Sequence, residues 1–284
     1  MKNLRNLVPI SIGLASCILL QSCGKPPQAA NQSTNTLQGK LVLTGSSTVA
    51  PLASEIAKRY EAEHPQVRID VQTGGSSRGI ADARQKVADI GMVSRSLKDN
   101  EKDLQAFTIA KDGISVILHQ DNPVQSLTDK QIVDIYTDKI NNWKQVGGLD
   151  APITVVNKAE GRSTLELFAG HFKLETKDIK ADVVIGDNEQ GIKTVAGNPN
   201  AIGYVSIGSS EYGATHGTPI KLLPTEGVAA STANVGNGTF PISRPLNLVT
   251  KSAPTGLQKD FIEFARSQQV QDIVKEQYFV PASQ

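Results

Sequence analysis

Three short phrases limit what this chain can fold into. Thr44-Gly45-Ser46-Ser47-Thr48-Val49-Ala50-Pro51, Gly74-Gly75-Ser76-Ser77-Arg78-Gly79 and Asn157-Lys158-Ala159-Glu160-Gly161-Arg162-Ser163-Thr164 each follow an apolar, β-like run and lead into a helix-like one. A helix start leaves about four backbone N–H groups without intrahelical partners and carries roughly half a positive charge. Strand, Gly/Ser turn and helix start together make a cradle for a small oxyanion, and several cradles in one chain suggest a shared ligand.

The text between the cradles alternates in the same way. Leu41 to Leu43 reads as a strand, Ala50 to His64 as a helix with Leu52, Ile56 and Tyr60 at spacing four, and Val67 to Val71 as an alternating strand. A helix over Ile80–Val87 and a strand over Ile90–Val93 follow. Strands separated by helices of this length predict a parallel α/β sheet, in which ligands bind beyond the carboxyl ends of the strands. Gly113 to His119 and Arg244 to Thr250 read as two strands that cross between halves. Between them lies a second set: helix Asp129–Tyr136, strand Ile153–Val156, helix Thr164–Phe172, strand Val183–Ile185, helix Gln190–Ala196 and strand Ile202–Val205. Helices over Gly256–Ser267 and Val270–Gln277 close the chain and are expected to pack on the first half. The expected division is residues 39–119 and 244–284 in lobe I, 120–243 in lobe II, and a cleft between.

At the start, Lys2 and Arg5 precede an apolar stretch from Leu7 to Leu20 that is short for a membrane span and reads as an export signal over residues 1–22. It ends at Leu20-Gln21-Ser22-Cys23, which resembles the lipobox of bacterial lipoproteins, in which the cysteine is lipidated; Leu14-Ala15-Ser16-Cys17 fits the pattern less well. Residues 23–38 have the Pro, Gln, Asn, Ser and Thr composition of a flexible tether. The expected location is therefore extracytoplasmic, held to a membrane by lipid alone. Both of the chain's 2 cysteines fall in or at the end of the leader, which excludes disulfides in the body. With 29 basic and 28 acidic residues over the 284, there is no general attraction for nucleic acid or an anionic surface. His64, His119, His171 and His216 are scattered without metal-ligand spacing, so neither metal nor cofactor is expected.

Thr44 to Pro51, Gly74 to Gly79, Asp89-Ile90-Gly91-Met92, Ile140-Asn141-Asn142-Trp143, Gly186-Asp187-Asn188, Ala201 to Val205 and Arg244-Pro245-Leu246 together resemble the phosphate-binding component of the bacterial Pst ABC transporter. The likeness runs from about Lys40 to Pro281. It implies the two-lobed type II periplasmic-binding-protein fold, each lobe a mostly parallel α/β sheet flanked by helices. It also implies that phosphate is held by the three cradles and passed to a membrane permease, with no catalysis. The candidate ligand set is Ser47, Thr48, Val49, Ser76, Ser77, Ser94, Arg95, Lys158, Arg162, Ser163 and Thr164, and the expected state is a monomer.

Two departures from the family's pattern matter. The third cradle usually opens with an arginine where this chain has Lys158, and only arginine offers a planar bidentate fork, so Arg162 is the expected clamp. Many members carry a Ser-Asp pair whose carboxylate accepts the proton of hydrogen phosphate. This chain has Ser94-Arg95 there, as one branch of the family does, and Arg95 is expected to add a positive contact.

Blander readings stand beside these. Ser47, Thr48, Ser76 and Thr164 also suit ordinary helix caps, Lys158 and Arg162 suit solvated charges, and Trp143 suits a packed turn. The rivals are the same scaffold tuned to sulfate, molybdate or tungstate, a sensing or adhesion lipoprotein, and a hydrolase using Ser47 or Ser163 with Lys158 as base. Neither of these two serines stands in a Gly-x-Ser-x-Gly elbow or a Ser-x-x-Lys pair.

Overall fold

In the computed structural model, which describes residues 37–282, the α/β alternation takes the expected form. The order is β1 (Gly39–Gly45), α1 (Val49–Glu63), β2 (Val67–Thr73), α2 (Ser76–Gln85), β3 (Ile90–Val93), β4 (Gln105–His119), α3 (Asp129–Tyr136), β5 (Thr154–Lys158), α4 (Ser163–Phe172) and β6 (Val183–Ile185). Then come α5 (Asn188–Ala196), β7 (Ala201–Ser206), α6 (Ile207–Thr215), β8 (Ile220–Leu222), α7 (Thr232–Gly236), β9 (Ser243–Thr250), α8 (Gly256–Arg266), α9 (Gln271–Glu276) and β10 (Val280–Pro281). The leader, Cys23 and the tether as far as residue 36 lie outside the described residues. Among the described residues no helix is long and apolar enough to cross a membrane.

Strand order is β2-β1-β3-β9-β4-β7-β5-β6, with β8 and β10 also paired to β4. β1, β2 and β3 run parallel, as do β5, β6 and β7, while β9 and β4 join the two sets through antiparallel pairs. β4 is the hinge of the design. Its residues from Gln105 to Gly113 pair with β9, and those from Ile114 to His119 pair with β7 and β8. The crossing therefore lies at Gly113, with Ile114 N–H donating to Ile242 at 3.0 Å beside it, and the strand Ile114–His119 belongs to the second half rather than the first. The early part of β4, the helices α6 and α7 and the strand β8 have weak patterns in the sequence and form only because the neighbouring sheet and core supply their partners.

Each half has its own core. In the first, Leu43, Ile56, Tyr60, Met92 and Leu248 pack against Phe261 and Ile262 of α8 and Ile273 of α9. In the second, Tyr136, Trp143, Phe168 and Tyr204 lie together, with Phe168 and Tyr204 stacked at 3.7 Å between centroids. Trp143 is 1% exposed and its indole N–H donates to Asn200 at 2.9 Å, which makes it a packed turn residue. Full burial of a large apolar side chain stabilises by about 1.5–3 kcal/mol. These two cores anchor the strands whose ends carry the loops described below.

Candidate functional site

The first corner is shaped by Gly45, whose φ of +132° and closeness to β3 admit no side chain: a Cβ there would lie 2.3 Å from the Met92 carbonyl. The chain turns, and Ser46 Oγ accepts from the N–H groups of Thr48 at 3.2 Å and Val49 at 3.3 Å. Val49 was expected to offer its N–H to a ligand; Ser46 takes it instead, because a free hydroxyl two or three residues back is the ordinary cap of a helix start. Thr48 Oγ1 is turned inward and buried, whereas Ser47 is half-buried and lines a groove of about 350 Å³ with Asp187, Asn188 and Ser209, its hydroxyl bonded to none of the central side chains. Ser47 is thus apart from the central group.

The second corner turns on Gly75, at φ +93°, where a Cβ would lie 2.6 Å from the Gly161 carbonyl and 2.8 Å from Arg162 Cδ. The two corners approach this closely because Ser77 N–H donates to Gly161 across the cleft at 3.1 Å. Ser76 is buried and its Oγ accepts from Ser94 N–H at 3.2 Å. Ser77 is exposed, with its hydroxyl 3.5 Å from Glu166, and stands outside the group.

What joins the corners is Arg244. Antiparallel register places it opposite Asp112 at the crossing of the halves, and both side chains are 1% exposed. Asp112 accepts from Arg244 Nε at 3.1 Å and Nη2 at 2.8 Å. The same guanidinium donates to Thr164 at 2.9 Å, Thr48 at 3.2 Å and Ser94 at 3.4 Å. One side chain therefore touches the first corner, the third corner and the end of β3. Ser94 also accepts from Ser46 at 2.9 Å. On the other flank, Asn188 at the start of α5 donates to Thr48 at 3.1 Å and accepts from the Lys158 ammonium at 3.0 Å.

Lys158, 2% exposed, has no carboxylate partner among the described residues, and the amide oxygen of Asn188 is its one hydrogen-bond acceptor there. Burial pushes its ammonium down to a pKa of about 7; Arg244 and Arg162 add to this by repulsion, while Asp187 opposes it. Arg162 is half-buried, lies against Gly75 and Gly186, and has no carboxylate partner among the described residues. Its Nε is buried without a partner, and so is Ser163 Oγ beside it. The cleft thus gathers three basic side chains, Arg244 and Lys158 buried and Arg162 half-buried at the edge, against one buried carboxylate, ringed by hydroxyls.

Arg95 departs from the expectation placed on it. Its guanidinium gives a bidentate pair to Glu101 at 2.6 and 2.9 Å, and its Nε lies 2.9 Å from Glu166 at an angle that makes an ion pair rather than a hydrogen bond. Burial pushes the Glu101 carboxyl up, but the bonds from Arg95 and the Lys98 N–H outweigh it and hold the group below its ordinary value. Two carboxylates turn Arg95 away from the hydroxyl ring. Arg78, in contrast, is exposed and pairs at the surface with Asp82 at 3.0 Å.

Of the residues expected to hold the ligand, the structure brings Thr48, Ser76, Ser94, Lys158, Ser163 and Thr164 together, with Arg162 at their edge. The sequence reading missed Arg244, Asp112, Asn188 and Ser46. Arg244 and Asn188 stand in phrases that are visible in the text, Arg244-Pro245-Leu246 and Gly186-Asp187-Asn188, yet a charged residue at a strand start reads as solvated until the register pairs it.

Residues 30–269 match the family described as PBP superfamily domain. The phosphate-binding protein PstS of Bacillus subtilis is 26% identical over 98% of this chain and 94% of its own length. Among solved structures, a putative phosphate ABC transporter substrate-binding protein with bound phosphate from Clostridium perfringens is 35% identical, with a TM-score of 0.78 over 86% of this chain and 100% of that one. The chain belongs to the PstS family of the PBP superfamily. An ABC-type phosphate transport receptor from Vibrio cholerae, 31% identical, matches at a TM-score of 0.68 over 86% of this chain and 100% of that one. These relatives are binding and transport proteins by name, and among the described residues the Lys158 ammonium in this PstS-family chain bonds Asn188 and neither Ser47 nor Ser163, so it is not placed to activate either serine for hydrolysis.

Proposed function

We propose that this protein is an extracytoplasmic receptor that closes its two lobes on inorganic phosphate and presents the ion to an ABC-transporter permease. The observation that carries the reading is the surplus of basic side chains over carboxylates in the cleft. Arg244 is matched by Asp112, but Lys158 and Arg162 have no anionic partner among the described residues. A buried, unmatched cation is costly, and an oxyanion arriving between these groups removes that cost. Thr48, Ser76, Ser94, Ser163 and Thr164 supply hydroxyls fixed in advance, so ligand binding requires little reorganisation.

Contacts come from both lobes: Thr48, Ser76 and Ser94 from the first, Lys158, Arg162, Ser163 and Thr164 from the second, and Arg244 from the crossing. An ion that meets both sets only when the lobes are closed shifts the population toward that form by its differential affinity. Lipid on Cys23 and a monomeric body would let the receptor move along the membrane surface while it searches for its permease.

Calorimetry with phosphate, sulfate, molybdate and tungstate at neutral pH tests the reading. Phosphate is expected to bind at one site per chain and more tightly than the others. Tighter binding of sulfate would reassign the scaffold to another oxyanion. Mass spectrometry of the mature N-terminus tests the lipid on Cys23.

A further inference from the structure

Three residues that are distant in sequence meet on the second lobe. Asp129 opens α3 just after its Thr128 cap, His171 lies one residue from the end of α4, and Glu226 sits in the turn after β8 that the Thr225–Val228 bridge closes. One donor atom from each lies within 4.8 Å of the other two. We propose that these side chains form a site for a divalent metal ion of the zinc class, with one imidazole nitrogen and two carboxylate oxygens as ligands. Histidine spacing along the chain gave no hint of it, because the site takes its one histidine from α4 and its carboxylates from two other elements.

Geometry and donor chemistry both favour a metal. His171 Nε2 and Glu226 Oε1 are 3.5 Å apart. Tetrahedral zinc with bonds of about 2.1 Å sets its ligand atoms roughly 3.4 Å from one another. His171 Nε2 is shielded from solvent and has no hydrogen-bond partner, an expensive state for a ring nitrogen that a metal bond relieves. Asp129 and Glu226 are exposed, and neither is paired with a lysine or arginine among the described residues, so Asp129 is free to swing in. Imidazole with two carboxylates suits zinc and its first-row neighbours, and their two negative charges balance the ion. A fourth position stays open to water.

The location gives such a site a consequence. α4 begins with Ser163 and Thr164 at the anion site and reaches His171 about 12 Å further on, at roughly 1.5 Å per residue. A metal at that end ties α4 to α3 and to the loop after β8, and so braces the helix that carries two proposed phosphate ligands. The simpler arrangement is a protonated His171 held between two carboxylates, and the experiment separates the two.

The full chain, free of phosphate, is dialysed against zinc chloride and titrated calorimetrically, with cobalt as a spectroscopic probe. The expected result is one bound ion per chain, a raised thermal midpoint and a visible absorption band from low-coordinate cobalt. Glu226→Gln and His171→Ala are each expected to weaken zinc binding about tenfold or more. Asp129→Asn, at an exposed position, is expected to weaken it while leaving the fold intact, as phosphate titration and circular dichroism of each variant would verify. No zinc uptake by the folded wild-type protein, or uptake that survives both Glu226→Gln and His171→Ala, would overturn the proposal. Loss of phosphate binding alone would bear on the receptor reading and not on this site.

Discussion

Two buried arginines, Arg95 at the rim of the cleft and Arg244 at its floor, have the same chemistry and different uses. Arg95 meets two carboxylates, Glu101 and Glu166, and Glu166 meets Lys98 at 2.8 Å as well. Glu166 belongs to α4 in the second half and the two cations to the first, so the rim is a satisfied brace across the cleft. At the floor, Arg244 meets one carboxylate and shares its space with Lys158 and Arg162, which meet none among the described residues. The number of buried cations does not distinguish a brace from a binding site. The balance of partners does, because a satisfied guanidinium has nothing left to offer an anion.

Substitutions can test that contrast, beginning where the effect is largest. Arg244→Met leaves Asp112 as an uncompensated buried charge, which costs about 3–5 kcal/mol of stability, and phosphate binding is expected to vanish. Adding Asp112→Asn should restore most of the stability seen in urea denaturation and none of the binding. A single Arg244→Met protein as stable as wild type would erase the distinction between pair and surplus.

Lys158→Met is expected to separate stability from function. Phosphate affinity should fall by about 1.5–3 kcal/mol, the worth of a charge-assisted contact, while stability at neutral pH stays level or rises because a desolvated ammonium is gone. Burial holds Lys158 at about 7 in the folded, ligand-free chain, below its value of 10.5 when unfolded. Between those values the unfolded state binds more protons, so wild-type stability should increase with pH across that window, and Lys158→Met should remove that part of the slope. Bound phosphate favours the charged form. Binding above pH 7 should therefore take up a proton at this site, read by calorimetry in buffers of different ionisation enthalpy and lost in the methionine variant.

Arg162→Ala should weaken phosphate by one to two powers of ten, about 1.5–3 kcal/mol, and leave stability almost unchanged, since its guanidinium has no carboxylate to abandon. Unchanged affinity would give the whole cationic role to Lys158 and Arg244. The smallest effect is expected at the rim. Glu166→Gln weakens a partly exposed cross-cleft brace worth about 0–1 kcal/mol, so phosphate affinity should change less than about tenfold. A larger loss would mean that the rim, too, acts on the ligand.

Much of this molecule was legible in its text. The alternating runs predicted β1 to β3 and β5 to β7 with their helices, because apolar spacing at period two or near four has few other outcomes. The Gly/Ser corners were legible for a local reason as well: Gly45 and Gly75 stand where no other residue takes the backbone geometry. Arg95 and Arg244 show where the text ends. Both are arginines beside strands, and nothing local says that one will find two carboxylates and the other a ring of hydroxyls.

The sequence by itself determined β1 to β3, β5 to β7 and the helices between them, their order and the three corners, since those follow from short-range sterics and from the spacing of apolar residues. Only the tertiary structure decided which charges share a dry space. Asp112 and Arg244 are far apart in the chain and are opposed by strand register; Lys158 and Asn188 come from different strands and helices; and Ser94 reaches Arg244 only across the crossing. Coulombic and hydrogen-bond energies depend on distance and local dielectric, and both are set when the halves close together.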